Sequence, residues 1–175
     1  VFWSAQSDRP EILTSIADLK QHRQQLAETF EYLKVQFPFL VESTDNCFRL
    51  TDWTFDIQEL NVPELQQLEN LCAQKGWGFT YSTVQCHIKP INQDKATSLE
   101  QIVKNYFPSL TNQQIITIGD SPNDESLFDG SKFPLSVGVA NVLHYRSKLK
   151  HLPAYVTKLE EGEGFRELAE FLLQS

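Results

Sequence analysis

The segment Ile115–Asp124 places two carboxylates and an amide within five residues, directly after a β-branched run that stops at Gly119. This order predicts a buried strand that delivers Asp120, Asn123 and Asp124 to a loop at its carboxyl end. In open α/β sheets, ligands bind at that edge. Carboxylate oxygens suit Mg²⁺, and closely spaced carboxylates are costly unless a cation or hydrogen bonds offset their charge. The segment therefore predicts a metal or phosphate site, with a helix-capping polar loop as the alternative.

A lysine opens the helix that is predicted before this strand. The helix runs from about Lys95 to Tyr106 and carries an apolar stripe at three- and four-residue spacings. A cation is disfavoured at a helix amino terminus, because the helix dipole is positive there. Lys95 at this position therefore indicates an anion nearby, whereas the alternative is an ordinary exposed lysine.

Both segments resemble motifs of one enzyme family. Gly119–Asp124 resembles the fourth motif of the haloacid dehalogenase superfamily of phosphohydrolases, Gly-Asp-x-x-Asn-Asp. The likeness is closest to the sugar-phosphate phosphatase branch, which includes the sucrose-phosphate and mannosyl-3-phosphoglycerate phosphatases. Upstream, Gln93–Leu99 resembles the third motif, in which a lysine opens a helix. The resemblance implies Mg²⁺ as cofactor and an aspartate that attacks the phosphorus of a small phosphorylated metabolite, such as a sugar phosphate.

The resemblance also implies a role for each residue of the two motifs. Asp120 is expected to bind Mg²⁺, and Asn123 to orient the phosphate or a metal-bound water. Lys95 is expected to neutralise phosphate charge, since an ammonium group acts as a compact point charge. Asp124 is expected to assist catalysis by fixing Lys95 or Asn123.

The start of the chain resembles the second motif of the same family. An apolar strand at Val1–Ala5 is followed by Ser7 and Arg9, which the resemblance assigns to phosphate binding. Ser4 is a rival to Ser7 for this role. The alternative is a helix capping box within Ser7–Glu11, with Pro10 in the first turn.

The first motif of the family, Asp-x-Asp-Gly-Thr, is absent from the chain. Asp52 and Asp56 lie four residues apart and are flanked by aromatic residues, so they do not match it. The chain contains no methionine. We therefore expect it to be the carboxyl-terminal part of a longer protein, with its nucleophile outside these residues and no activity alone. Two alternatives are a catalytically inactive phosphate-binding or regulatory relative, and the phosphorylation domain of a cation pump.

Composition limits the possible partners. A net charge of −8 argues against nucleic acid and anionic membranes, and no apolar stretch approaches the length of a membrane span. Three widely spaced cysteines without a Cys-x-x-Cys pair are typical of a reduced, cytoplasmic protein. If the first strand and helix of the fold are missing, apolar surface is left uncovered, so a homo-oligomer is possible.

The predicted fold class is α/β, a doubly wound parallel Rossmann-like sheet with a small β-α-β cap insertion. The predicted division is core at 1–44, cap at 45–92 and core again at 93–175. The predicted helices are Glu11–Val35, Val62–Lys75, Lys95–Tyr106 and Gly164–Leu173, and the predicted strands are Phe37–Val41, Cys47–Ile57, Phe79–Ile88, Ile115–Ile118, Leu135–Val139 and Ala154–Val156.

Substrate specificity is predicted to reside on the second cap strand, Phe79–Ile88. Alternate side chains of a strand face opposite ways. One face would carry Tyr81, Thr83, Gln85 and His87, which could contact a polyol substrate. The alternative is that this face is simply the solvent-exposed side of an antiparallel pair.

Overall fold

The computed structural model describes residues 11–58 and 60–174, which divide into two compact units with the boundary between Gln93 and Asp94. The first unit contains a three-stranded antiparallel sheet and two helices. The second contains a three-stranded parallel sheet and two helices. The protein is therefore of the α/β class, with a parallel sheet and a smaller antiparallel one, as the sequence predicts. None of the described helices is long and apolar enough to cross a membrane.

The first unit packs its two helices on one face of the antiparallel sheet. Its elements are α1 (Leu19–Gln36), β1 (Trp53–Asp56), α2 (Val62–Gln74), β2 (Gly78–Tyr81) and β3 (Gln85–Lys89), with β3 central. Apolar residues at helical spacing on α1 and α2 and at alternate positions on β1 and β3 form its core. The largest contributors are Leu26, Phe30, Leu33, Phe55, Leu68, Cys86 and Ile88.

Helix α1 begins eight residues later than predicted, because Asp18 caps it. The Asp18 carboxylate accepts the backbone N–H of Gln21 at 3.0 Å. After the helix, the predicted strand Phe37–Val41 is absent. The structure has a turn there, with Leu40 N–H donating to the Phe37 carbonyl at 3.1 Å, and only an isolated bridge follows it. The predicted strand Cys47–Ile57 shrinks to β1 because Thr44–Phe48 forms a 3₁₀ turn.

The first unit has one hydrophobic core, which α1 shares with β1, β3 and α2. The predicted division into core at 1–44, cap at 45–92 and core at 93–175 stays a prediction. Whether the first unit acts as a cap over an active site stays a prediction.

The predicted strand Phe79–Ile88 is in fact a hairpin of β2 and β3. The Ser82 hydroxyl accepts the backbone N–H groups of Val84 and Gln85, at 3.2 and 3.1 Å, which stabilises the turn between the strands. Thr83 lies in this turn. Tyr81 pairs with Cys86 and packs against the core. The prediction of one shared polar face is therefore wrong for Tyr81 and Thr83.

Gln85 and His87 do share the face of the sheet that lies opposite the core. Gln85 donates to the Ser43 hydroxyl at 3.0 Å and accepts from Arg49 at 3.1 Å. His87 Nδ1 lies 3.0 Å from an Asp52 oxygen, which also accepts from Arg49 at 2.9 Å. These bonds fix the connection between residues 43 and 52 onto β3, so the two predicted specificity residues have a structural role.

The second unit is a parallel sheet in the order β4-β5-β6, as predicted. Its elements are α3 (Lys95–Tyr106), β4 (Ile116–Gly119), β5 (Leu135–Gly138), β6 (Tyr155–Val156) and α4 (Glu161–Leu173). Helix α3 has the predicted bounds. In the register of β4 and β5, Gly119 lies beside Gly138, so both strands end at the same edge of the sheet.

Helix α4 leaves most of its large apolar side chains exposed. The exposed fractions are 57% for Phe165, 69% for Phe171 and 46% for Leu172, while Leu168 is half-buried. Leu168, Phe171 and Leu172 line an open apolar groove together with strand residues such as Ile116. These three side chains thus face the sheet, but the described residues do not fill the groove between helix and sheet.

The amino terminus of α2 offers a test of local stability. The Asn61 side chain accepts the Glu64 backbone N–H, and the Glu64 side chain accepts the Asn61 backbone N–H. We expect Asn61→Ala to lower the free energy of unfolding by about 1 kcal/mol in urea denaturation, because the cap is lost. Asn61→Asp keeps the acceptor and should stay close to wild type. Equal stability of Asn61→Ala and wild type would contradict the prediction.

The Asp52 network predicts a loss of stability in acid. Burial acts to raise the pKa of Asp52, but the His87 hydrogen bond and the Arg49 charge outweigh it, so the pKa lies below its ordinary value. The ionised carboxylate therefore contributes stability above about pH 4, and this contribution disappears as the pH falls through the lowered pKa. Asp52→Asn should cost about 1–2 kcal/mol near neutral pH, since hydrogen bonds to a charged group are lost.

The measurement is urea denaturation of wild type and Asp52→Asn between about pH 3 and pH 7. The difference between the two proteins should shrink toward acid. Asp56→Asn, at an exposed position of β1, is the matched control and should show no such trend. A difference that stays constant across the range would refute the role of Asp52.

Candidate active site

The end of β4 can hold the candidate site because Gly119 has no side chain. A Cβ atom at this position would overlap the side chain of Asp124. With glycine there, Asp124 folds back beneath the strand end, and its Oδ2 accepts the backbone N–H of Asp120 at 2.9 Å. Between them, Pro122 begins a 3₁₀ segment, Pro122–Phe128. The carboxylate of Asp124 thereby closes the loop on itself.

Lys95 pairs with the same carboxylate. Its Nζ donates to Asp124 Oδ1, the oxygen that does not bind the backbone of Asp120. The Asp124 side chain is 6% exposed and that of Lys95 is 51% exposed. Asp124 is thus the anion that the position of Lys95 indicates. A half-exposed ammonium group with three hydrogens can donate to a ligand in addition to Asp124.

Two hydrogen bonds fix the first turn of α3 and thereby the position of Lys95. The Asp94 side chain caps the helix by accepting the Thr97 N–H at 2.7 Å. The Ala96 N–H donates to the Ser126 hydroxyl at 3.2 Å, which ties the helix to the 3₁₀ segment that follows Asp124. Sequence-local capping and one longer-range bond together set the geometry of the Lys95–Asp124 pair.

Neutral groups hold the carboxylate of Asp120. The Ser121 hydroxyl lies 2.8 Å from Asp120 Oδ1 and 2.9 Å from Asn123 Oδ1, and its single hydrogen can serve one of them at a time. The Asn141 amide donates to Asp120 Oδ2 at 3.2 Å. Within the described residues, no lysine or arginine forms an ion pair with Asp120. The carboxylate is therefore oriented while its charge is left for a cation.

The donor set fits a cation that takes one carboxylate from this chain. The described part of the chain contains no cluster of three or more histidine, cysteine, aspartate or glutamate side chains that could hold a metal. Asp124 is engaged by Lys95, so Asp120 is the available carboxylate. A hard cation bound here would need further oxygen ligands from water, substrate or other residues.

The structure brings together four of the predicted site residues, Lys95, Asp120, Asn123 and Asp124, around the end of β4. Ser7 and Arg9 lie outside the described residues, so their role in phosphate binding stays a prediction. The predicted specificity residues, Tyr81, Thr83, Gln85 and His87, belong to the first unit. Their role in specificity also stays a prediction.

Two residues near Asp120 were not predicted. One is Asn141, which follows β5 and donates to Asp120. The other is Tyr145, whose pKa is raised by burial and by the negative charge of Asp120. The sequence contains a signal for Asn141, because a polar residue shortly after a second parallel strand is expected at the same edge of the sheet as Gly119–Asp124. The sequence offers no comparable signal for Tyr145.

Three relatives show what this chain is similar to. A phosphoglycolate phosphatase of Methanothrix thermoacetophila is 29% identical over 149 residues, which cover 83% of this chain and 60% of the relative. Phosphoglycolate phosphatase 1 of Saccharolobus solfataricus is 26% identical over 141 residues, covering 77% and 59%. The X-ray structure of the sucrose-phosphatase from Synechocystis in complex with sucrose and phosphate has a TM-score of 0.59 at 17% identity, covering 85% and 64%.

The last likeness concerns the fold alone, because its identity is low. The chain spans about 60% of the length of the two curated relatives. The family of haloacid dehalogenase-like hydrolases matches residues 12–165, which include α3, β4 and the whole candidate site. The family resemblance of the two motifs is thereby confirmed, and the chain belongs to the haloacid dehalogenase-like hydrolases.

Proposed function

We propose that the protein is a Mg²⁺-dependent phosphohydrolase that acts on a small phosphorylated metabolite. The observation that carries the proposal is the arrangement of Lys95, Asp124 and Asp120 at the end of β4. The Lys95 ammonium group and the oriented carboxylate of Asp120 lie at the edge of a parallel sheet, where ligands bind. Membership of the family and the names of the curated relatives support the same reaction class.

In this proposal each side chain has a distinct task. Bound Mg²⁺ would reduce the repulsion between an anionic nucleophile and a phosphate dianion. Asp120, held by neutral donors, supplies a charged oxygen to the cation. Lys95 donates to the phosphate, and buried Asp124 keeps the ammonium group in place. Asn123, next to the Ser121 hydroxyl, orients the phosphate or a water molecule.

The proposed nucleophile is an aspartate of the first family motif, which would form an aspartyl-phosphate. That motif has no match in these 175 residues. We therefore expect the chain as written to show no Mg²⁺-dependent turnover of p-nitrophenyl phosphate above a buffer control, because the phosphoryl group has no acceptor. Turnover that Asp120→Asn abolishes would contradict this expectation and would require another nucleophile within the chain.

Two substrate classes are supported by different observations. The motif likeness to the sugar-phosphate branch favours a sugar phosphate, whereas both curated relatives are phosphoglycolate phosphatases. We favour phosphoglycolate, because the identity to these relatives extends over most of the chain.

The test is kcat/KM on phosphoglycolate and on a panel of sugar phosphates, with the protein as its gene encodes it. Higher kcat/KM on a sugar phosphate would reverse the assignment. No Mg²⁺-dependent hydrolysis by that protein would favour the catalytically inactive relative.

Asp120→Asn tests the proposed metal ligand. The substitution keeps the shape of the side chain and removes its charge, so the Mg²⁺ concentration for half-maximal rate should rise at least about tenfold, since losing even a partner that only orients a ligand typically has that effect. Mg²⁺ titration of the rate is the measurement. Asp129→Asn is the matched control and should leave the half-point unchanged. An unchanged half-point for Asp120→Asn would remove this residue from the metal site.

Lys95→Ala tests the proposed phosphate contact. Loss of one electrostatic partner at a phosphoryl-transfer site typically costs on the order of a hundredfold, so the rate at saturating Mg²⁺ should fall by about that factor. Asp124→Asn should cost less, because the amide can still accept from the Asp120 backbone. Lys104→Ala, in the last turn of α3, is the control. A Lys95→Ala rate within a few fold of wild type, roughly the scatter of surface substitutions, would exclude the phosphate contact.

A further inference from the structure

Asn141 makes two hydrogen bonds, one to Asp120 and one to the backbone at the start of α4. Its Nδ2 donates to Asp120 Oδ2 at 3.2 Å, and its Oδ1 accepts the Glu161 backbone N–H at 3.1 Å. Asn141 is 5% exposed. The orientation of the amide is determined by these partners, because the flipped amide would face oxygen with oxygen and N–H with N–H. Asn141 therefore links the Asp120 carboxylate to the start of α4.

The backbone around Asn141 is fixed on two sides. The Val139 N–H donates to the Gly119 carbonyl at 3.0 Å, and the Ala140 N–H donates to the Leu159 carbonyl at 3.1 Å. The loop after β5 is thus attached both to the end of β4 and to the residues before α4. This attachment leaves Asn141 little freedom to move away from Asp120.

The partner on α4 is held in an uncommon conformation. Glu161 has a φ of 51°, which a residue other than glycine adopts rarely. The first turn of α4 also approaches the preceding chain closely, since a Cβ atom at Gly164 would overlap the Leu159 carbonyl. Such a turn presents the Glu161 N–H to Asn141 in one direction. The anchor for the amide is therefore part of a closely packed turn.

We propose that Asn141 is a positioning residue that holds the Asp120 carboxylate ready for a divalent cation. The inference rests on the proposed function in one respect, the role of Asp120 as a metal ligand. Ser121 does not replace Asn141, because its hydroxyl lies against Oδ1 of Asp120, whereas Asn141 donates to Oδ2. Without the amide, the carboxylate must be ordered when the cation binds, which weakens binding.

The experiment measures Mn²⁺ binding by electron paramagnetic resonance, with the protein as its gene encodes it. Asn141→Ala should raise the Kd for Mn²⁺ by about tenfold, the typical effect of losing a partner that orients a ligand. At saturating metal, KM for a phosphate ester should be unchanged. Thr157→Val is the matched control: it removes a hydrogen bond of 2.8 Å to the Leu159 carbonyl beside the same turn without contacting Asp120, and its Kd should equal that of wild type.

A second variant guards against misfolding of Asn141→Ala. Asn141→Asp is nearly isosteric and keeps the acceptor for Glu161, but it puts a carboxylate against Asp120. We expect its Kd for Mn²⁺ to change at least about threefold, because the donor is gone and the local charge has changed. An unchanged Kd in Asn141→Asp, or equal changes in Asn141→Ala and Thr157→Val, would overturn the inference.

The two proposals can fail separately. If wild type hydrolyses phosphate esters and Asp120→Asn shifts the metal dependence, but Asn141→Ala does not alter the Kd for Mn²⁺, only the inference fails. If Asn141→Ala weakens Mn²⁺ binding and Thr157→Val does not, while wild type hydrolyses no phosphate ester, the proposed function fails and the positioning role stands. A wild-type protein that binds no Mn²⁺ would overturn the positioning role.

Discussion

The buried carboxylate of Asp124 is the constraint on which the candidate site depends. One of its oxygens accepts the backbone N–H of Asp120, and the other pairs with Lys95. A buried charge is stable only when paired and hydrogen-bonded, so the end of β4 and the start of α3 must keep their relative positions for both partners of Asp124 to stay in reach. The Asp124 carboxylate thus fixes the geometry of the loop and the position of the Lys95 ammonium group. These two together set the location of the site.

Around this pair, one carboxylate is neutralised by a cation and the other is only oriented by neutral groups. Lys95 neutralises Asp124, whereas neutral donors from Ser121 and Asn141 orient Asp120. A carboxylate that is ordered without a neighbouring cation keeps its affinity for an added one. The two acidic residues of one short motif therefore have different electrostatic environments, although they lie only four positions apart.

Elements that depend on local signals were predictable from the sequence. Helices α2 and α3 carry side-chain caps and apolar stripes, and β4–β6 lie between helices, so their positions agree with the prediction to within a few residues. The hairpin at Ser82 was missed because its turn uses a side-chain hydroxyl instead of glycine. Lys95 and Asp124 belong to contiguous motifs and could be identified, whereas the contact of Asn141 with Asp120 depends on the register of β4 and β5.

The missing Cβ of Gly119 has a consequence for how the protein can change over time. The space that a side chain would need at this position is already filled by Asp124. A larger residue at position 119 must therefore displace the Asp124 side chain, and with it the carboxylate that holds Lys95. Positions 119 and 124 therefore constrain each other in evolution. A variant that loses Gly119 is expected to lose the contact between Asp124 and Lys95 as well.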